Sequence, residues 1–166
     1  MLVVAVAVLS TACAAAETTG PPDINYGRDI CIECGMTIDN ARFAAGYRQT
    51  DGTEKKFDDL GGLIIHARET GDLDDATVWV HDFETEEWIE APGAFFVPTL
   101  AITSPMGHGI LAFADKEWAT QVAKDLGGDV LAWEVVVDLP VVEGLVGHHH
   151  MSDDEMREHE MGGMSK

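Results

Sequence analysis

Cys31-Ile32-Glu33-Cys34-Gly35-Met36 sets two thiols at Cys-x-x-Cys spacing, then a glycine that permits a tight backbone turn and a thioether beside the same spot. Two thiolates at this spacing can share one metal ion, and thiolate with thioether is a soft donor set that selects Cu(I) over harder cations. A structural zinc site would call for a second cysteine or histidine pair at matching spacing, and none stands out. A c-type haem needs histidine directly after the second cysteine, where Gly35 stands. Two other readings stay open. One is a small disulfide that holds a loop in an oxidising compartment, although so short a loop would barely constrain the unfolded chain. The other is a thiol-disulfide oxidoreductase using Cys31 and Cys34. Against it, a thioredoxin-like pair opens a helix after a strand, and this pair precedes the first clear strand. A second group, Pro105-Met106-Gly107-His108-Gly109, offers a methionine between two backbone-shaping residues and an imidazole two positions on. Taken alone it reads as a turn whose methionine packs on a neighbouring strand.

The surrounding pattern predicts what must carry these groups. Residues 24–40 read as a loop. Arg42–Thr50 and Thr53–Phe57 flank Asp51-Gly52, a strong hairpin signal. Asp58 or Asp59 caps a helix with Leu60, Leu63, Ile64 and Ala67 on one face, ended by Gly71. Thr77–Phe83, Glu87–Ala91, Ala94–Ile102 and Gly109–Ala114 read as strands. Asp115 then caps a second helix, with Trp118, Ala119, Val122, Ala123 and Leu126 on one face and Gly127-Gly128 at its end. Val130–Val137 reads as a closing strand. Each helix follows a strand that ends near a phenylalanine, Phe57 or Phe113. The order of elements suggests an α+β domain of two ββα units with mainly antiparallel sheet. Trp79, Trp88, Trp118, Trp133, His66 and His81 read as structural.

The ends differ from this body, which spans residues 24–140. Residues 1–12 are uncharged and nearly all apolar, too short to span a bilayer and suited to the core of an export signal. Leu9-Ser10-Thr11-Ala12-Cys13 resembles a lipobox, which makes Cys13 the expected lipidation site and places the protein outside the cytoplasm, anchored to a membrane. Residues 13–23 read as a flexible tether. Residues 141–166 form an acidic, low-complexity tail in which His148, His149, His150, Met151, Met156, His159, Met161 and Met164 could catch metal loosely. Thirty acidic residues against ten basic ones give a net charge of −20. Such a surface repels nucleic acid phosphates and excludes nucleic acid as a partner. No nucleophile-plus-base motif or phosphate loop is present.

The signal with its cysteine, Cys-x-x-Cys-Gly-Met, and a Pro-Met-Gly loop followed by Ile110-Leu111-Ala112-Phe113 and a helix together resemble the NosL family. These are copper-binding accessory lipoproteins of nitrous oxide reductase maturation. The resemblance spans about residues 28–137 and implies two ββα units related to the organomercurial lyase MerB. It implies a non-enzymatic Cu(I) carrier that serves apo nitrous oxide reductase through a NosD-like component of an ABC-transporter complex. By it Cys34, Met36 and Met106 are the Cu(I) ligands, with Cys31 and His108 as further candidates. Metal affinity should fall with pH, because Cys34 binds as the thiolate. A lyase-like activity would need a thiol pair and a carboxylate meeting in one pocket, and no carboxylate can be placed there from the sequence.

Overall fold

The computed structural model describes residues 19–139. The expected export signal, Cys13 and the His/Met-rich tail lie outside the described residues. Strands β1 (Ala45–Gln49), β2 (Glu54–Phe57), β3 (Ala76–His81) and β4 (Trp88–Glu90) form an antiparallel sheet in the order β2-β1-β3-β4. The register pairs Tyr47 with Lys55 on one side and with Val78 on the other. Alternation sends Ala45 and Tyr47 into the core. Helix α1 (Leu60–Thr70) packs on β1 and β2. Strands β5 (Phe95–Pro98) and β6 (Ile110–Phe113) make a second, two-stranded antiparallel sheet, on which α2 (Lys116–Leu126) packs. The fold is α+β: β1-β2-α1 and β5-β6-α2 are the two ββα units, and β3 and β4 widen the first sheet.

The local signals behave as their chemistry requires. Asp59 is the N-cap of α1, accepting from Gly61 N–H at 2.7 Å, and Asp115 caps α2 through Trp118 N–H at 2.7 Å. Gly71 and Gly127 end the two helices with φ of 74° and 72°, the left-handed region that favours glycine. The expected closing strand Val130–Val137 does not form. Leu131 makes a single bridge to Phe96, and Trp133–Val136 turn into a short helix, α3. Its Trp133 packs on Phe96 and its Val136 is fully buried. The β preference of the valines yields to the packing of residues three apart. Trp118 is not a core residue of α2 either: it is 46% exposed, and Ala119 and Ala123 form the buried side.

Gly20–Asp23, within the segment read as a tether, lie against the body. Pro22 is buried beside Gly46, and the Gly20 and Pro21 carbonyls accept from Arg48. The halves meet where Phe83 N–H donates to the Ala112 carbonyl (2.8 Å) and Ala114 N–H donates to Asp82 (2.8 Å). No helix among the described residues is long and apolar enough to cross a membrane.

His81 ends the inner strand β3, opposite Trp88 of the edge strand β4. Its Nδ1–H donates to the Glu86 carbonyl at 2.8 Å, its Nε2 accepts from the Tyr26 hydroxyl at 2.6 Å, and its ring lies 3.7 Å from that of Trp88. Burial lowers its pKa below the ordinary 6.5, and the Glu86 carbonyl and charge oppose this in part. Below pH 6.5 the unfolded chain therefore takes up this proton more readily, so stability falls as pH drops toward the lower folded value. Denaturant unfolding between pH 7 and pH 5 is expected to show a steeper loss for the parent than for His81→Gln. Equal slopes would refute this role.

Candidate metal centre

The cysteine segment is held as a tight knuckle. Ile30 bridges Thr37 in antiparallel fashion, Cys31 N–H donates to the Met36 carbonyl (2.8 Å), and Gly35 N–H donates to the Cys31 carbonyl (3.0 Å). Gly35 has φ of 73°, which an L side chain adopts only with strain. Ile32 N–H donates to the Lys56 carbonyl (3.1 Å), which pins the loop to the end of β2. The next residues along that strand are Phe57, Asp58 and Asp59, so the knuckle lies over the junction between β2 and α1.

There the two cysteines meet a carboxylate. Ligand atoms of Cys31, Cys34 and Asp58 all lie within 4.8 Å of one another. Both cysteines are free thiols. Cys34 is half-buried, and its Sγ stands 3.5 and 3.6 Å from the two Asp58 oxygens, the thiol donating to the carboxylate. Cys31 is 1% exposed and Asp58 2%. Burial pushes the Cys31 thiol well above its ordinary pKa of 9.0, while the backbone N–H groups of Cys34 and Asp58, turned toward its sulfur, pull the other way. The carboxylate that could not be placed from the sequence is therefore Asp58. The adjacent pair Asp58-Asp59 carried the signal: only one of them can cap α1, and the other, buried, must find a different partner.

Asp59 turns to the methionine loop. Besides capping α1, its Oδ2 accepts from Met106 N–H (3.2 Å) and from the Ser104 hydroxyl, whose oxygen in turn accepts from Gly109 N–H (2.9 Å). The loop between β5 and β6 is thus tied to the first turn of α1. Met106 is half-buried. Its sulfur lies over Gly62, 2.5 Å from where a side chain there would begin, and the Glu33 Cβ is 3.8 Å from the same point. The fold thus sets Met106 on the same turn of α1 that Glu33 of the cysteine loop approaches. Met36, 45% exposed, stands at the outer rim. His108 is 2% exposed, rests on Gly61, and has no hydrogen-bond partner for either ring nitrogen among the described residues. It stands outside the cysteine–carboxylate group. Of the five candidate ligands, Cys31, Cys34 and Met36 belong to the knuckle, while Met106 and His108 rest on the first turn of α1.

His66, read as structural, is linked to the same loop. Its Nδ1 is 3.1 Å from Glu33 Oε2, and its ring packs on Phe57 at 5.4 Å. The 33-residue separation of Glu33 and His66 concealed this pairing.

The comparisons with known proteins agree with this architecture. No curated protein is matched by the sequence. Among solved structures, the fold is similar to the crystal structure of the copper chaperone NosL from Shewanella denitrificans, with a TM-score of 0.60 and 22% identity. The similarity covers 69% of this chain and 93% of that one. The model of the NosL family matches residues 25–139, from ahead of the cysteine knuckle to the end of the described residues. The chain belongs to the NosL family.

Proposed function

We propose that this protein is a Cu(I) carrier working outside the cytoplasm, tethered through Cys13, that delivers copper for the assembly of nitrous oxide reductase by way of a NosD-like component of an ABC-transporter complex. The observation that supports it most is the convergence of Cys31, Cys34 and Asp58 at the junction of β2 and α1, with Met106 seated on the first turn of the same helix. Cys34, Met36 and Met106 are the proposed Cu(I) ligands. Cys31 is an auxiliary thiol, and His108, buried on Gly61, is a further candidate. A carboxylate is a poor ligand for so soft an ion. Asp58 instead accepts the Cys34 thiol hydrogen bond and lies in place to receive that proton as the thiolate takes the metal. The half-exposed Cys34 and exposed Met36 leave the ion open to ligand exchange with a receiver. The residues of the tail, from His148 to Met164, add weak capture ahead of this site.

The oxidoreductase reading fits less well, because the pair sits in a turn ahead of β1 and does not open a helix after a strand. The lyase-like reading gains one observation, the two thiols and a carboxylate in one place. In that chemistry a thiolate displaces carbon from mercury, a Hg–S bond replaces the Hg–C bond, and the departing carbon takes a proton. One sample separates the readings. Reduced full-length protein, titrated with Cu(I) against a strong chelator, is expected to hold one tightly bound ion with mainly sulfur neighbours by X-ray absorption. Incubated with phenylmercury, it is expected to release no benzene. Nitrogen-dominated coordination, or absence of chelator-resistant copper, would overturn the proposal, and catalytic benzene release would favour the lyase.

A further inference from the structure

Gly61 and Gly62 occupy the first turn of α1, where glycine is a poor helix former. Neither has positive φ, so backbone freedom does not explain them. Space does. A side chain at Gly61 would start 2.2 Å from His108 Cγ, and one at Gly62 would start 2.5 Å from Met106 Sδ. Two consecutive glycines therefore receive two residues of one loop. Asp59, two and three positions earlier, holds the same loop by its backbone through Met106 N–H and through Ser104.

The two contacts differ in kind. His108 presents its Cβ and ring to Gly61, the stem of a buried and rigid group, so the Gly61 contact is a packing constraint. Met106 presents its sulfur and methyl to Gly62, the far end of a flexible chain. That end can move without disturbing the loop backbone, which Asp59 fixes independently. We infer that Gly62 is a positioning residue: its absent side chain forms the seat that holds the Met106 thioether toward the cysteine knuckle, where Glu33 approaches the same point. This rests on the Cu(I) reading above, with Met106 as a ligand. It adds that the helix, and not the loop alone, sets where the thioether points. Filling the seat should swing the sulfur away while the helix gains an alanine.

Gly62→Ala in the full chain tests this. The variant is expected to keep or raise the Tm of the parent and to bind Cu(I) about tenfold more weakly, the scale seen when a supporting contact of a metal ligand is lost. X-ray absorption is expected to count one sulfur neighbour fewer. In a Met106→Leu background the same substitution should cost nothing further, since two changes that act through one contact do not add. In the metal-free protein the Met106 methyl resonance should shift in Gly62→Ala, a readout that does not depend on copper. Parent-like affinity and sulfur count, an unmoved Met106 methyl, or an equal loss with and without Met106 would each overturn the role of Gly62 and leave the Cu(I) reading standing. If the parent itself binds no Cu(I) tightly, the functional reading fails, and the methyl resonance alone still decides whether Gly62 seats the thioether.

Discussion

Cys34→Ser is expected to weaken Cu(I) binding by more than about a hundredfold, beyond what loss of an outer supporting contact costs. Three observations set the size of this effect. Cys34 is the half-exposed thiol of the pair, so it is the one that incoming metal meets. Its sulfur is 3.5 Å from a carboxylate able to take its proton. The serine oxygen that would replace it is a harder donor that Cu(I) disfavours. Cys31→Ser should cost less, because burial holds the Cys31 thiol toward its neutral form. Competition against a Cu(I) chelator in the full chain measures both. Weak sites of the kind proposed for the tail would not withstand a strong chelator and so would not mask the result. Parent-like affinity in Cys34→Ser would remove the proposed centre, and a larger loss in Cys31→Ser would reverse the assignment of the two thiols.

The second large effect concerns the joint beneath that centre. Phe57 ends β2, is fully buried, stacks with Tyr47 at 5.8 Å and meets the tilted ring of His66 at 5.4 Å. Phe57→Ala is expected to cost about 3–5 kcal/mol, the transfer free energy of the ring plus the cavity it leaves. The backbone around it cannot collapse easily, since β2 is paired to β1 and Asp59 is fixed by its bonds to Gly61 and the methionine loop. Denaturant unfolding at neutral pH reads this directly. A loss below about 1.5 kcal/mol would mean that the site relaxes freely and that the joint is softer than its packing indicates.

Much of the scaffold was legible because its signals are local. Asp51-Gly52 names a hairpin, and Asp115 followed by an apolar stripe names a capped helix, whatever lies elsewhere in the chain. Each error came from contacts distant in sequence. The valines of 130–137 carry a strand preference, yet only Leu131 bridges Phe96, and the helical turn that follows sets the Trp133 ring on the same phenylalanine. Trp118 fits the apolar stripe of α2 by spacing and still faces solvent, because β5 and β6 leave room against that helix for alanine. In the site, the cysteine and methionine groups were recognisable by residue type and soft-donor chemistry. Asp58 was not, because Asp is common before helices and its role depends on a knuckle folding back over it from 24 residues earlier. His66 and Glu33 were missed for the same reason.

The Cys34 knuckle belongs to the part of the chain ahead of β1, and Met106 to the connection between β5 and β6. A single ion bound to both would close a loop of some seventy residues that no covalent bond closes, and any binding confined to the native form adds to its stability. The carrier would then be stiffest when full and loosest just after release. Protease resistance or slowed amide exchange along that stretch would act as a gauge of its cargo, and a receiver could tell a laden carrier from a spent one by mechanical firmness as well as by the ion itself.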